Sequence, residues 1–91
     1  MGDSSRNVAL LNKYGLHARP ASRIVGIASR YQSAVTLANA QGRTVNAKSI
    51  MEVLTLAAAS GTALTVRAVG DDAEAAVAEI ADLITSKFGE D

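Results

Sequence analysis

The stretch "ALTVRAV", residues 63–69, sets apolar Leu64, Val66 and Ala68 against Thr65 and Arg67 in strict alternation. Such alternation marks a strand with one face in a core and the other in water. A chain with this strand must supply a cover for one face of a sheet. Three further stretches read as strands: "NVALL" near 7–11, "AVTLA" near 34–38 and "RTVNA" near 43–47. Segments with helical spacing provide the cover, through Ala21, Ile24, Val25 and Ala28 in one and Val77, Ile80, Ala81, Ile84 and Phe88 in another. Between them, "SIMEVLTLAAAS" predicts a shorter helix ended by Gly61. "ANAQGR" predicts the turn between the second and third strands, and "VGDDAE" caps the final helix with acids that suit its positive end. The order β-α-β-β-α-β-α predicts an α+β fold, with a four-stranded, mainly antiparallel sheet covered on one face by three helices.

A chain of 91 residues fits a single domain, 1–91, and its 48% hydrophobic and 3% aromatic content predicts a modest core of Ala, Val, Ile and Leu. Cysteine is absent, which excludes disulfides and thiolate metal centres. "MGDSSRN" lacks the apolar stretch of a signal peptide and misses the myristoylation pattern, because Arg6 stands where Ser or Thr is needed. No apolar run approaches the ~20 residues of a membrane span. These features predict a cytoplasmic protein without membrane insertion. The formal net charge is zero, yet Asp3 is the sole acid of residues 1–50 while Arg6, Lys13, Arg19, Arg23, Arg30, Arg43 and Lys48 all lie there. That asymmetry can steer an acidic partner or a phosphorylated group toward one face. Nucleic acid is a poor candidate, since two tyrosines and one phenylalanine give few stacking platforms.

The basic half holds the only histidine, His17, within "GLHARPAS". Gly15 permits a turn that other residues resist, and Pro20 is tolerated only in the first turn of a helix. Together they place His17 near the N-cap of the first helix. The backbone N–H groups of Ala18 and Arg19 then point outward without helical partners, and a helix start of that kind attracts anions. A neutral ring can accept a phosphoryl group, whose negative charge would meet those N–H donors and charge-assisted hydrogen bonds from Arg19. A covalent carrier of this kind needs a nucleophile and an anion cradle, and no metal, cofactor or general base of its own. Small Ala18 and Ala21 would leave room for a partner. A hydrolase or metalloenzyme would need ligands that the chain lacks. The position alone leaves open a non-covalent module that holds an anionic metabolite at the same helix start.

At "NKYGLHARPAS" the chain resembles the active-site segment of the histidine-containing phosphocarrier (HPr) family of the bacterial phosphoenolpyruvate-dependent phosphotransferase system. The resemblance runs from the first strand through "VNAKSIMEVLTLAA" to the last helix, and it implies that family's open-faced β-sandwich. It implies that His17 takes a phosphoryl group on Nδ1 from phosphorylated enzyme I and passes it to an enzyme II A-domain, with Arg19 and the Ala18 amide holding the phosphate. Such a protein is a monomeric carrier rather than an enzyme. Tyr14 departs from the smaller or polar residues expected of sugar-transport members, and the segment is also similar to the nitrogen-related branch, which uses the same chemistry.

In "KSIM", residues 48–51, Ser49 and Glu52 have the spacing of a capping box, in which each side chain bonds a backbone N–H of the other's residue. The resemblance adds that this serine is the site of regulatory phosphorylation by an HPr kinase/phosphorylase in many bacteria. It also implies an exposed apolar patch beside the histidine. Leu16, Ile50 and Met51, ringed by Arg19, Arg23 and Lys48 and joined by Ala21 and Ser22, would form a docking face for acidic partners. Val53, Leu54 and Leu56 are enough to bury that short helix without Met51, so Met51 is expected to be exposed.

Overall fold

The structure, a computed structural model, describes residues 2–89. Strands β1 (Gly2–Ala9), β2 (Ala34–Asn39), β3 (Thr44–Asn46) and β4 (Ala63–Gly70) and helices α1 (Ala18–Ala28), α2 (Ile50–Thr55) and α3 (Ala73–Thr85) follow in the order β1-α1-β2-β3-α2-β4-α3, and a 3-10 turn comes last at Lys87–Gly89. The sheet order is β1-β4-β2-β3 and every pairing is antiparallel. The predicted order of elements is therefore the observed one. In β4 the alternation resolves as expected, with Leu64, Val66 and Ala68 buried and Arg67 and Val69 exposed. Val8 from β1, Val35 and Leu37 from β2 and Val45 from β3 share that inner face. Ile24 and Ala28 of α1, Val53 of α2, and Val77, Ile80 and Ile84 of α3 complete the same core. Among the described residues no helix covers the outer face.

Three local expectations are corrected. β1 starts at Gly2 rather than near Asn7, because the polar segment Asp3–Asn7 is held by β4 rather than by apolar burial. Arg67 forks onto Asp3 at 3.1 and 2.7 Å, and Thr65 Oγ1 donates to Asn7 Oδ1 at 2.8 Å. Helix α2 ends at Thr55, where Ala57 turns into the left-handed region (φ 47°), so Gly61 does not terminate it. α3 likewise ends at Thr85, and the buried Phe88 regains the core through a turn in which Lys87 and Phe88 both have positive φ.

Asp72 is the N-cap residue of α3, but its carboxylate does not cap that helix. It reaches the α1–β2 connection instead, accepting from Gln32 N (2.9 Å), Ser33 N (2.9 Å) and Ser33 Oγ (2.5 Å). The Ser33 hydroxyl and then the Gln32 amide hold the Asp72 carboxyl below its ordinary value.

Candidate functional site

The site is built on the connection from β1 to α1, whose backbone is pinned at four points. Gly15 N donates to Asn12 O at 3.2 Å, His17 N donates to Gly15 O at 3.1 Å, and the buried Asn12 Nδ2 donates to Gly15 O at 2.7 Å. Leu16 N donates to Ala58 O at 2.9 Å, which ties the connection to the segment after α2. Gly15 has φ +67°, and a Cβ there would stand 2.4 Å from Ala58 O and 3.0 Å from Ala59 Cα. Only glycine fits this crossing.

His17 is the N-cap of α1, as expected, with an extended backbone (φ −97°, ψ −172°). The first helical hydrogen bond runs from Ala21 N to His17 O at 3.0 Å. The N–H groups of Ala18 and Arg19 precede it, and Pro20 sits in the one turn where its missing N–H costs nothing. The imidazole does not cap the helix it begins. It lies half-buried with its ring centroid 6.2 Å from that of Tyr14, and the two ring planes stand at 83°. Arg19 is exposed on the first turn, and among the described residues its guanidinium makes no ion pair. The arrangement offers an imidazole, backbone donors and a guanidinium on open surface, with no enclosed pocket among the described residues.

The family model described as "PTS HPr component phosphorylation site" matches residues 4–86. The chain belongs to the HPr phosphocarrier family of the phosphotransferase system. The phosphocarrier protein HPr of Xylella fastidiosa (strain Temecula1) is 44% identical over 84 residues, covering 92% of this chain and 93% of that protein. The crystal structure of HPr-C-His from Thermoanaerobacter tengcongensis superposes with a TM-score of 0.91 at 41% identity, covering 97% and 98% of the two chains. The HPr dimer crystallised from the same organism gives 0.76 at 43% identity over 91% and 94%. Membership carries with it the role of phosphoryl carrier, a protein on which enzymes act rather than a catalyst.

Within this HPr scaffold the expected docking face is redistributed. Met51 is 74% exposed, as predicted, and Ile50 beside it is 37% exposed on α2, which packs against α1. Leu16 is a correction: it is 5% exposed, because the bond from its amide to Ala58 turns the side chain into the core. Ala21 is also fully buried, on the inner face of α1, so its small size serves packing, whereas Ala18 and Ser22 are exposed. Two of the basic residues also make hydrogen bonds of their own. Arg23 Nη1 donates to the Phe88 carbonyl of the C-terminal turn. Lys48 Nζ donates to Tyr31 O at 2.8 Å, just past the far end of α1, an 11-residue helix roughly 16 Å long. Arg19 is exposed on the first turn of α1, two residues after His17.

Ser49 is the N-cap of α2 and its Oγ accepts from Glu52 N at 3.3 Å. The reciprocal half of the capping box is absent, since Glu52 Oε1 accepts from Asn46 N at 3.0 Å while Ser49 N donates to Asn46 O at 3.1 Å. Glu52 thus fastens α2 to the end of β3. Sequence reasoning missed Asn12 and the Tyr14 contact. An asparagine three residues before a glycine, between the first strand and the first helix, is the signal that would have found the first.

Proposed function

We propose that His17 is the residue that carries the phosphoryl group, accepting it on Nδ1 from phosphorylated enzyme I and passing it to an enzyme II A-domain. The observation that supports this reading is the placement of His17 at the N-cap of α1, ahead of the Ala18 and Arg19 N–H groups. In the accepting step the imidazole lone pair forms the new N–P bond, and the bond to the donor breaks with its electron pair staying on the donor. The group arrives with negative charge at the positive end of α1, where two backbone donors and the Arg19 fork can share it. Enzyme I and the A-domain supply the remaining machinery, so one domain with one nucleophile is sufficient.

Ser49 is the regulatory position in this reading. A phosphate there would gain from the start of α2 but lie near Glu52, so it acts on the docking surface by charge more than on the fold. The protein works in the cytoplasm as a monomer, and Ile50 and Met51 provide the apolar centre of the face that meets its partners.

The test is incubation with enzyme I, Mg²⁺ and phosphoenolpyruvate, read by intact mass and phosphorus NMR. One acid-labile phosphoryl group on the wild type, absent from His17→Ala, is the expected result. No label, with enzyme I active on another HPr, would overturn the reading and direct the search to non-covalent anion binding.

A further inference from the structure

Tyr14 is the most exposed aromatic residue of the described chain, at 70%, yet its ring is not idle in solvent. It stands T-shaped to His17, with centroids 6.2 Å apart and planes at 83°. Those values fall in the range at which aromatic rings attract edge to face. The Lys13 ammonium lies 5.3 Å from the Tyr14 centroid, within reach of a cation–π contact. The three side chains therefore form a short stack, Lys13 on Tyr14 and Tyr14 against His17. Its base is rigid, because Gly15 is locked in the left-handed region against Ala58 and Asn12 bonds the Gly15 carbonyl.

We propose that Tyr14 is a positioning residue for phosphoryl transfer at His17. This rests on His17 being the phosphoryl acceptor. In-line displacement at phosphorus requires the attacking nitrogen, phosphorus and leaving atom to be nearly collinear. An imidazole turns about two side-chain torsions, and each rotation carries its nitrogens off that line. An aromatic ring set perpendicular to the imidazole narrows the range of those torsions before the donor arrives, and the attack geometry is then part of the carrier rather than imposed by each enzyme it meets. Exposure is what makes the role distinct from packing: a side chain 70% in water contributes little to the core, so its substitution leaves the fold in place.

The experiment compares Tyr14→Phe, Tyr14→Leu and Tyr14→Ala with wild type as phosphoryl acceptors from enzyme I, separating kcat from KM, and records the His17 ring-proton shifts by NMR. Tyr14→Phe keeps the ring and is expected to keep both the rate and the shifts. Tyr14→Leu and Tyr14→Ala are expected to lose the ring-current shift at His17 and to lower kcat about three- to tenfold with KM little changed, the scale set by one aromatic pair. Unchanged kcat in Tyr14→Ala would overturn the proposal. So would a loss confined to KM and rescued by Leu, which would make Tyr14 a docking contact. Absence of label on the wild type is a separate outcome that removes the carrier reading and this role with it.

Discussion

Replacing Gly15 by alanine tests whether the β1–α1 connection is held by its crossing with Ala58. Two costs arise. The left-handed backbone (φ +67°) disfavours any Cβ by about 1–2 kcal/mol. The new Cβ would also lie 2.4 Å from the Ala58 carbonyl oxygen, so one of the two segments must move and the Leu16 N–H to Ala58 O bond beneath it opens, adding about 1–3 kcal/mol. The sum is about 2–5 kcal/mol, which lowers the unfolding midpoint by roughly 8–40 °C in a domain of this size. Two other glycines separate the terms. Gly61 has φ +92° with no atom within 4 Å of its Cβ position, so Gly61→Ala meets backbone strain alone, about 1–2 kcal/mol. Gly26 lies inside α1 with open space around it, so Gly26→Ala is expected to stabilise by about 1 kcal/mol. Thermal and urea unfolding of the three variants is the assay, with phosphoryl acceptance from enzyme I measured in parallel. The order Gly26→Ala, wild type, Gly61→Ala, Gly15→Ala, from most to least stable, supports the reasoning, and acceptance should fall only in Gly15→Ala. A Gly15→Ala variant no less stable than Gly61→Ala would refute the claim that the Ala58 crossing fixes the site.

Asp72 should make stability depend on acid pH. Its carboxyl is held below the ordinary 3.8 by Ser33 and the Gln32 amide, so the stabilisation is full above the unfolded-state value and is lost as pH falls through the lower folded-state value. Urea midpoints measured from about pH 6 to pH 2 should fall at the acid end in wild type and less steeply in Asp72→Asn; equal slopes would rule out the carboxylate as the cause. Ser49→Ala removes the single side-chain cap of α2, and since that bond is 3.3 Å long the loss should sit at the low end of the capping range, about 0.5–1 kcal/mol by denaturant unfolding. Met51→Asp should leave the unfolding free energy within about 0.5 kcal/mol of wild type, because the side chain is 74% exposed, while raising KM for phosphoryl acceptance from enzyme I. An unchanged KM would remove Met51 from the docking face.

The parts of this fold that were legible in the sequence are those whose signal and stabilisation come from the same residues. β4 is read directly because its alternation is what buries Leu64, Val66 and Ala68, and α3 because Val77, Ile80 and Ile84 both make the pattern and fill the core. The first half of β1 was missed for the opposite reason: Asp3, Ser5 and Asn7 are strand residues only because β4 pairs with them, a tertiary fact with no local pattern. The site divides along the same line. The place of His17 at the start of α1 follows from neighbours in sequence, Gly15 before it and Pro20 after it, so it was available early. The inward turn of Leu16 follows from Ala58, forty-two residues away, and the hydrogen bonds of Arg23 and Lys48 go to Phe88 and Tyr31. The chemistry of the site was therefore local and readable, while the shape of its surroundings was set by distant segments. The Arg23 end of the partner-facing surface is set by Phe88, whereas Ala58 shapes the histidine segment itself through Leu16, and Tyr14 both lies on the surface and stands against the imidazole.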